Sequence, residues 1–210
     1  MVFDGIFNKE EIVKLPTIIL LRHGQTKWNV EGRYQGQLNS DLTNLGKSQV
    51  EINALKIGQI LEKTTSIKLF SSPLGRAKES AFILSDSLNW NKKDIIFDDN
   101  VQEIHYGIFE GKTKKYCQEV YKKEFEAREA DKWNYVLDEG GESYAMVIKR
   151  LDLWLNTIQN EKIVVLVAHE MINRALRGIY CSYSKDKILK LRQSNDVVIK
   201  LENHSEIEIE

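Results

Sequence analysis

Cysteine and proline are almost absent: two of each occur in 210 residues. Cys117 and Cys181 lie too far apart for a disulfide framework or a zinc ligand set, and a chain of this length buries enough surface to fold without either. With only Pro16 and Pro73, and no Gly/Ser-rich tract, there is no linker to divide the chain. The expected organisation is an N-terminal arm over residues 1–16, then a single domain over 17–210. Charge of one sign is also missing. Thirty basic residues face thirty-one acidic ones, a net charge of -1, so no general attraction to nucleic acid or an anionic membrane is expected. The longest apolar run, Ile163 to Ala168, falls far short of the roughly 20 residues of a membrane span. Asp4, Glu10 and Glu11 do not resemble a secretory signal. These features imply a soluble domain of a reducing, cytoplasmic compartment.

What is present is an alternation of short apolar runs and helical patterns. Thr17 to Leu21, Ile67 to Ser71 and Ile163 to Ala168 read as buried strands, Asp94 to Phe97 as a further, short one, and Val197 to Leu201 as an edge strand. A helix is expected after the Thr43 N-cap, carrying Ile52, Leu55, Ile60 and Leu61, and another with Pro73 in its first turn. Lys112 to Trp133 is charged and helical. Gly140-Gly141 precedes a helix carrying Met146, Leu151, Leu153 and Leu155, and a last helix covers Ile172 to Tyr180. This pattern predicts an α/β fold, a three-layer sandwich with a mainly parallel central sheet, helices on both faces and a small helical lid at about 101–141.

In parallel sheets ligands bind beyond the carboxyl ends of the strands. Two strands here run straight into a histidine, at Leu21-Arg22-His23 and Ala168-His169, and the strand ending at Ser71 leads to Arg76. Two arginines offer forked donors to a tetrahedral oxyanion. A neutral imidazole is a competent nucleophile, and phosphoryl transfer asks mainly for positioning and electrostatic stabilisation. Taken singly, a histidine after a buried strand is more often a hydrogen-bonded structural residue than a catalyst. His105 reads as a loop residue, and His204 as an inert member of an acidic tail.

Leu21-Arg-His-Gly-Gln-Thr26 resembles the signature of the histidine phosphatase superfamily, the group that contains phosphoglycerate mutases. Trp28-Asn29, Glu31 to Gly36, Leu42-Thr43, Leu45-Gly46, Ser71 to Ala77, Glu103 to Gly111, Gly140 to Ser143 and Val165 to His169 are similar to its further motifs, in order. The resemblance implies that His23 is the nucleophile that becomes phosphorylated. It implies that Arg22, Arg76 and His169 clamp the phosphoryl oxygens and that Glu103 acts as general acid and then general base. Asn29 would hydrogen-bond the phosphate, Gln35 and Gly36 would line the approach, and Glu110 would hold its loop. No metal or other cofactor is implied, and the partner is a small phosphorylated substrate, with the chain a monomer or homodimer.

The family usually has Ser-His-Gly where this chain has Ala168-His169-Glu170, which leaves the role of Glu170 open: it either turns away at a helix start or brings a carboxylate to the phosphate. The lid segment lacks an Arg-Arg pair and resembles the phosphatase type. The expected function is therefore metal-independent hydrolysis of a phosphomonoester, with phosphoglycerate mutase-type transfer the alternative and a catalytically silent phosphate-binding module a remote one. A metal-dependent hydrolase built on His23, His169 and Glu103 is disfavoured because two arginines would repel the cation. The substrate's identity does not follow from the sequence.

Overall fold

A computed structural model describes residues 15–61 and 66–210; most of the expected N-terminal arm lies outside them. Four strands, β1 (Thr17–Arg22), β2 (Ile67–Ser71), β3 (Ile96–Phe97) and β4 (Ile163–Ala168), run parallel, and β5 (Val198–Glu202) and β6 (Ser205–Ile209) complete a six-stranded sheet of order β3-β2-β4-β1-β5-β6. β5 is antiparallel to β1, and β6 to β5. The expected edge strand near Val197 is thus interior, because β6 covers its outer side. The alternation Glu206-Ile207-Glu208-Ile209 forms a half-exposed edge strand rather than the acidic tail expected around His204.

The central strands are apolar throughout because both their faces are covered. Ile18 and Leu20 of β1, with Val164 and Leu166 of β4, join one core cluster; Ile19, Leu21, Val165 and Val167 join the other. α6 (Tyr144–Ile158) and α7 (Glu170–Tyr180) close the first face with Leu151, Trp154, Ala175 and Leu176. α2 (Asn44–Ile60) and α3 (Gly75–Ser87) close the second with Val50, Ala54, Ile57, Ala77, Ala81 and Leu84. Each large aliphatic side chain buried this way contributes about 1.5–3 kcal/mol. The result is the three-layer α/β sandwich expected.

Three details differ from expectation. α2 turns Ile52 and Leu55 outward, 51% and 65% exposed, and packs with the smaller Val50, Asn53 and Ala54. Likewise Met146 and Leu153 on α6 are exposed while Val147, Trp154 and Ile158 are buried. Pro73 precedes the N-cap Leu74 of α3 rather than entering its first turn. The segment from 101 to 141 consists of short 3-10 turns followed by α4 (Lys114–Val120) and α5 (Lys122–Ala130).

The register brings the site together. Arg22 lies opposite Ala168 and Ser71 opposite Val167, so β1, β2 and β4 end at one level. The ladder then continues one step, with His23 N–H donating to the Ala168 carbonyl and Ser72 N–H to that of Val167, both at 3.0 Å. The first turn of α2 presses on the chain leaving β1. A Cβ on Gly46 would sit 2.1 Å from the Gln25 carbonyl oxygen, and one on Gly24 equally close to the Gly46 oxygen. Both obstacles are backbone, so Gly46→Ala is expected to cost at least about 2 kcal/mol by overpacking and to lower turnover by displacing the residues after His23. An unchanged melting temperature would contradict this packing.

Candidate active site

His23 is 2% exposed, and its ring is fixed by two groups of fixed polarity. The Gly24 carbonyl can only accept, so Nδ1 donates to it at 2.8 Å; the Arg76 guanidinium can only donate, so Nε2 accepts from Arg76 Nε at 3.2 Å. Both contacts require the same tautomer, with the lone pair on Nε2. Burial, reinforced by Arg76 and Arg22, holds the His23 pKa well below its ordinary value, so the ring is neutral at physiological pH.

Arg76 lies in the first turn of α3 and is almost fully buried. Its Nη1 and Nη2 donate to the carbonyls of Leu38 and Gly36, both at 2.6 Å, and its backbone N–H to Asn39 Oδ1 at 2.8 Å. Burial lowers its pKa to about 10, which still leaves it charged. Gly36 holds φ +51°, and a Cβ there would overlap the Glu110 carboxylate. Glu110 Oε1 in turn accepts the N–H groups of Gln37 and Tyr106, joining the two loops that flank the site. His105, nearby, uses Nδ1 to accept the Gly107 N–H.

His169 follows β4 and caps α7; its Nε2 lies 2.8 Å from Ser72 Oγ and its ring centroid 5.3 Å from that of His23. Burial also keeps it neutral. Its Nδ1, like Arg22 Nε, is buried without a hydrogen-bond partner, an uncommon condition for such groups. Glu103 is 7% exposed, with Oε1 accepting the Ile104 N–H at 3.0 Å and Oε2 lying 3.5 Å from Met171 N on the first turn of α7. Burial raises its pKa, with Arg76 opposing. The structure thus gathers Arg22, His23, Arg76, Glu103 and His169 beyond the strand ends.

Asn29 and Gln35 are placed differently from a simple lining. Asn29 Oδ1 accepts the Thr26 N–H at 3.0 Å and completes the capping box of α1 (Lys27–Glu31), and Gln35 Oε1 accepts from Thr26 Oγ1. Only their amide NH2 groups remain to meet a substrate. Several supporting residues carried no sequence signal. Gln193 takes Arg22 Nη1 on its carbonyl at 3.0 Å, and Asn195 Nδ2 donates to the His23 carbonyl at 2.6 Å, both from an irregular loop. Arg150, paired with Glu142, donates to the carbonyls of Glu103 and Asn100 and so braces the acid's backbone. Glu170, at the first turn of α7, neither turns away nor stays free: it pairs with Arg22 at 3.1 Å and with Arg174 at 2.8 Å.

The model of the histidine phosphatase superfamily (branch 1) matches residues 18–207. The chain belongs to that superfamily. It is 31% identical over 168 residues to phosphoserine phosphatase 1 of Hydrogenobacter thermophilus, a match covering 79% of this chain and 74% of that one. It is also 31% identical over 180 residues to the 2-carboxy-D-arabinitol-1-phosphatase of Triticum aestivum, covering 85% of this chain but 35% of the wheat protein. The chain therefore spans about a third of the plant relative's length. The solved structure of a mycobacterial glucosyl-3-phosphoglycerate phosphatase complexed with VO3 superposes with a TM-score of 0.71 at 26% identity, covering 88% of this chain and 90% of that one. Relatives of this superfamily member are thus named as phosphatases of small phosphorylated molecules. No helix among the described residues is long and apolar enough to cross a membrane.

Proposed function

We propose that the protein is a metal-independent phosphomonoesterase working through a phosphohistidine on His23. The observation that carries this reading is the tautomer of His23: Nδ1–H is held on the Gly24 carbonyl and the Nε2 lone pair is presented beside Arg76 in a neutral ring. Nε2 attacks phosphorus, the N–P bond forms and the P–O bond to the alcohol breaks. Glu103, whose pKa burial raises, gives its proton to the departing oxygen. A water then attacks the phosphohistidine while the Glu103 carboxylate takes its proton, and inorganic phosphate leaves with the neutral imidazole restored. Arg22, Arg76 and the unpartnered Nδ1 of His169 supply positive charge and hydrogen bonds to the equatorial oxygens, the task a metal performs in other phosphoryl-transfer sites. Asn29 and Gln35 would add their amide NH2 groups.

The test is hydrolysis of an aryl phosphate in excess EDTA. Sustained turnover is expected; loss of activity that returns with a divalent cation would overturn the metal-free reading.

The protonation states predict a pH profile. His23 must be neutral, and its lowered pKa keeps it so as the pH falls below 6.5. Glu103 must be protonated to donate, and its raised pKa preserves that form above 4.5. Turnover of alkyl phosphates is therefore expected to persist on the acidic side of neutrality and to decline as pH rises through the Glu103 pKa, measured as kcat/KM against pH. A profile that rises monotonically toward alkaline pH would contradict these assignments.

A further inference from the structure

The chain leaving β1 is bonded at every step. From the His23 amide to the Gln25 carbonyl each backbone polar group has a partner, although this stretch is neither helix nor strand. The His23 N–H continues the ladder onto Ala168, and the His23 carbonyl accepts from Asn195 Nδ2 at 2.6 Å. The Gly24 N–H donates to Ser80 Oγ at 3.1 Å, and the Gly24 carbonyl accepts Nδ1–H of the His23 ring at 2.8 Å. The Gln25 N–H donates to Gln49 Oε1 at 3.0 Å, and the Gln25 carbonyl accepts the Thr43 N–H at 2.9 Å. Buried backbone groups need partners. Here side chains reaching in from α2, α3 and the loop before β5 supply several of them.

One of these bonds bears directly on the nucleophile. A peptide unit joins the carbonyl of one residue to the N–H of the next, so the Gly24 carbonyl and the Gln25 N–H belong to a single rigid plane. That plane lies between the His23 ring and Gln49: its oxygen accepts Nδ1–H, and its N–H donates to Oε1. A backbone N–H can only donate, so the Gln49 atom facing it is the carboxamide oxygen. Both bonds polarise the peptide in the same direction, which strengthens its hold on Nδ1–H. Rotating the plane away from Gln49 also withdraws its carbonyl from the ring.

The spacing of residues explains how α2 reaches this peptide. Thr43, the N-cap, is followed at intervals of three residues by Gly46 and Gln49, and neighbours at that interval share one side of a helix. Thr43 takes the Gln25 carbonyl, Gly46 admits the Gln25 backbone at close range, and Gln49 takes the Gln25 N–H.

We propose that Gln49 is a positioning residue for the nucleophile: its Oε1 fixes the Gly24–Gln25 peptide, so that the Gly24 carbonyl retains the Nδ1 proton of His23 and Nε2 stays aimed at phosphorus. This rests on the phosphohistidine reading above and adds to it a residue that acts only through the backbone.

The test sets Gln49→Met, which keeps the length and removes the acceptor, beside Gln49→Glu, which keeps an acceptor of the same shape. The position is only partly buried, so both side chains can be accommodated. Gln49→Met is expected to lower kcat for an aryl phosphate by about 10- to 100-fold, the loss that misplacing a reacting group brings. The Kd of inorganic phosphate should not change, because Arg22, Arg76 and His169 are untouched. Gln49→Glu should retain most of the parent kcat. In the free protein, the Nδ1–H signal of ¹⁵N-labelled His23, identified by its loss in His23→Ala, should exchange with water about tenfold faster in Gln49→Met. In Gln49→Glu it should exchange no faster than in the parent. An unaltered kcat or an unaltered exchange rate in Gln49→Met would overturn the proposal even if thermal stability fell, and so would equal losses in the two variants. If no phosphomonoester is hydrolysed, the phosphohistidine reading fails and the exchange rates alone decide whether Gln49 holds the ring: faster exchange in Gln49→Met sustains that hold, and unchanged exchange overturns it.

Discussion

His23→Ala is expected to abolish turnover, lowering kcat/KM by about 10⁴-fold or more, as loss of a nucleophile does in other covalent enzymes. No other side chain at the strand ends offers a lone pair held in the same way. His169 has its Nε2 engaged with Ser72, and Glu103 is buried on backbone N–H groups. The substitution should leave the phosphate clamp standing. Arg76 loses one contact, to His23 Nε2, but keeps both carbonyl bonds to Gly36 and Leu38. Inorganic phosphate should still bind, and circular dichroism should still show the folded chain. Residual activity within about a hundredfold of the parent would mean that water attacks directly, since positioned acid–base groups alone supply gains of roughly that size and above.

The second large effect is selective. Glu103→Gln is expected to reduce turnover of alkyl phosphates by about 10²- to 10⁴-fold, the usual worth of a general acid, while aryl phosphates, whose leaving groups need little protonation, lose far less in the phosphorylation step. Gln keeps the shape and can still accept the Ile104 N–H, so a structural collapse would not explain the difference. Glu110 is the internal comparison. It lies in the same loop but spends Oε1 on Gln37 and Tyr106, joining loops, so its replacement should lower both substrates equally. Equal losses at Glu103 would remove it from the acid role.

Sequence order and residue chemistry made much of this legible. β1, β2 and β4 are apolar runs that stop at polar residues, and their ends are the site, so locating the strands located Arg22, His23 and His169 as well. Thr43 announces its helix by capping it, whereas the Ser143 cap of α6 showed only in the structure. What stayed hidden depends on distance in space rather than on pattern. The buried face of α2 is Gly46, Val50, Asn53, Ala54 and Ile57, whereas Ile52 and Leu55 point to solvent, an assignment that periodicity alone gets wrong. β6 alternates with charged residues and looks like a tail until β5 pairs with it. Gln193 and Asn195 brace the site from a loop without a motif. Glu170 was visible as a departure from the family pattern, but its partner Arg174 could be recognised only once α7 placed both on one side.

The most direct test is to trap the phosphoenzyme. Acid-free quenching during turnover of a phosphomonoester, followed by mass spectrometry and ³¹P NMR, should reveal one phosphoryl group on Nε2 of His23, stable in base and lost in acid. The label should accumulate further in Glu103→Gln with an aryl phosphate, because water attack is then unassisted. Phosphorylation at Nδ1, at His169 or on any other side chain, or turnover with no phosphoenzyme under these conditions, would contradict the assignment of His23 as the nucleophile.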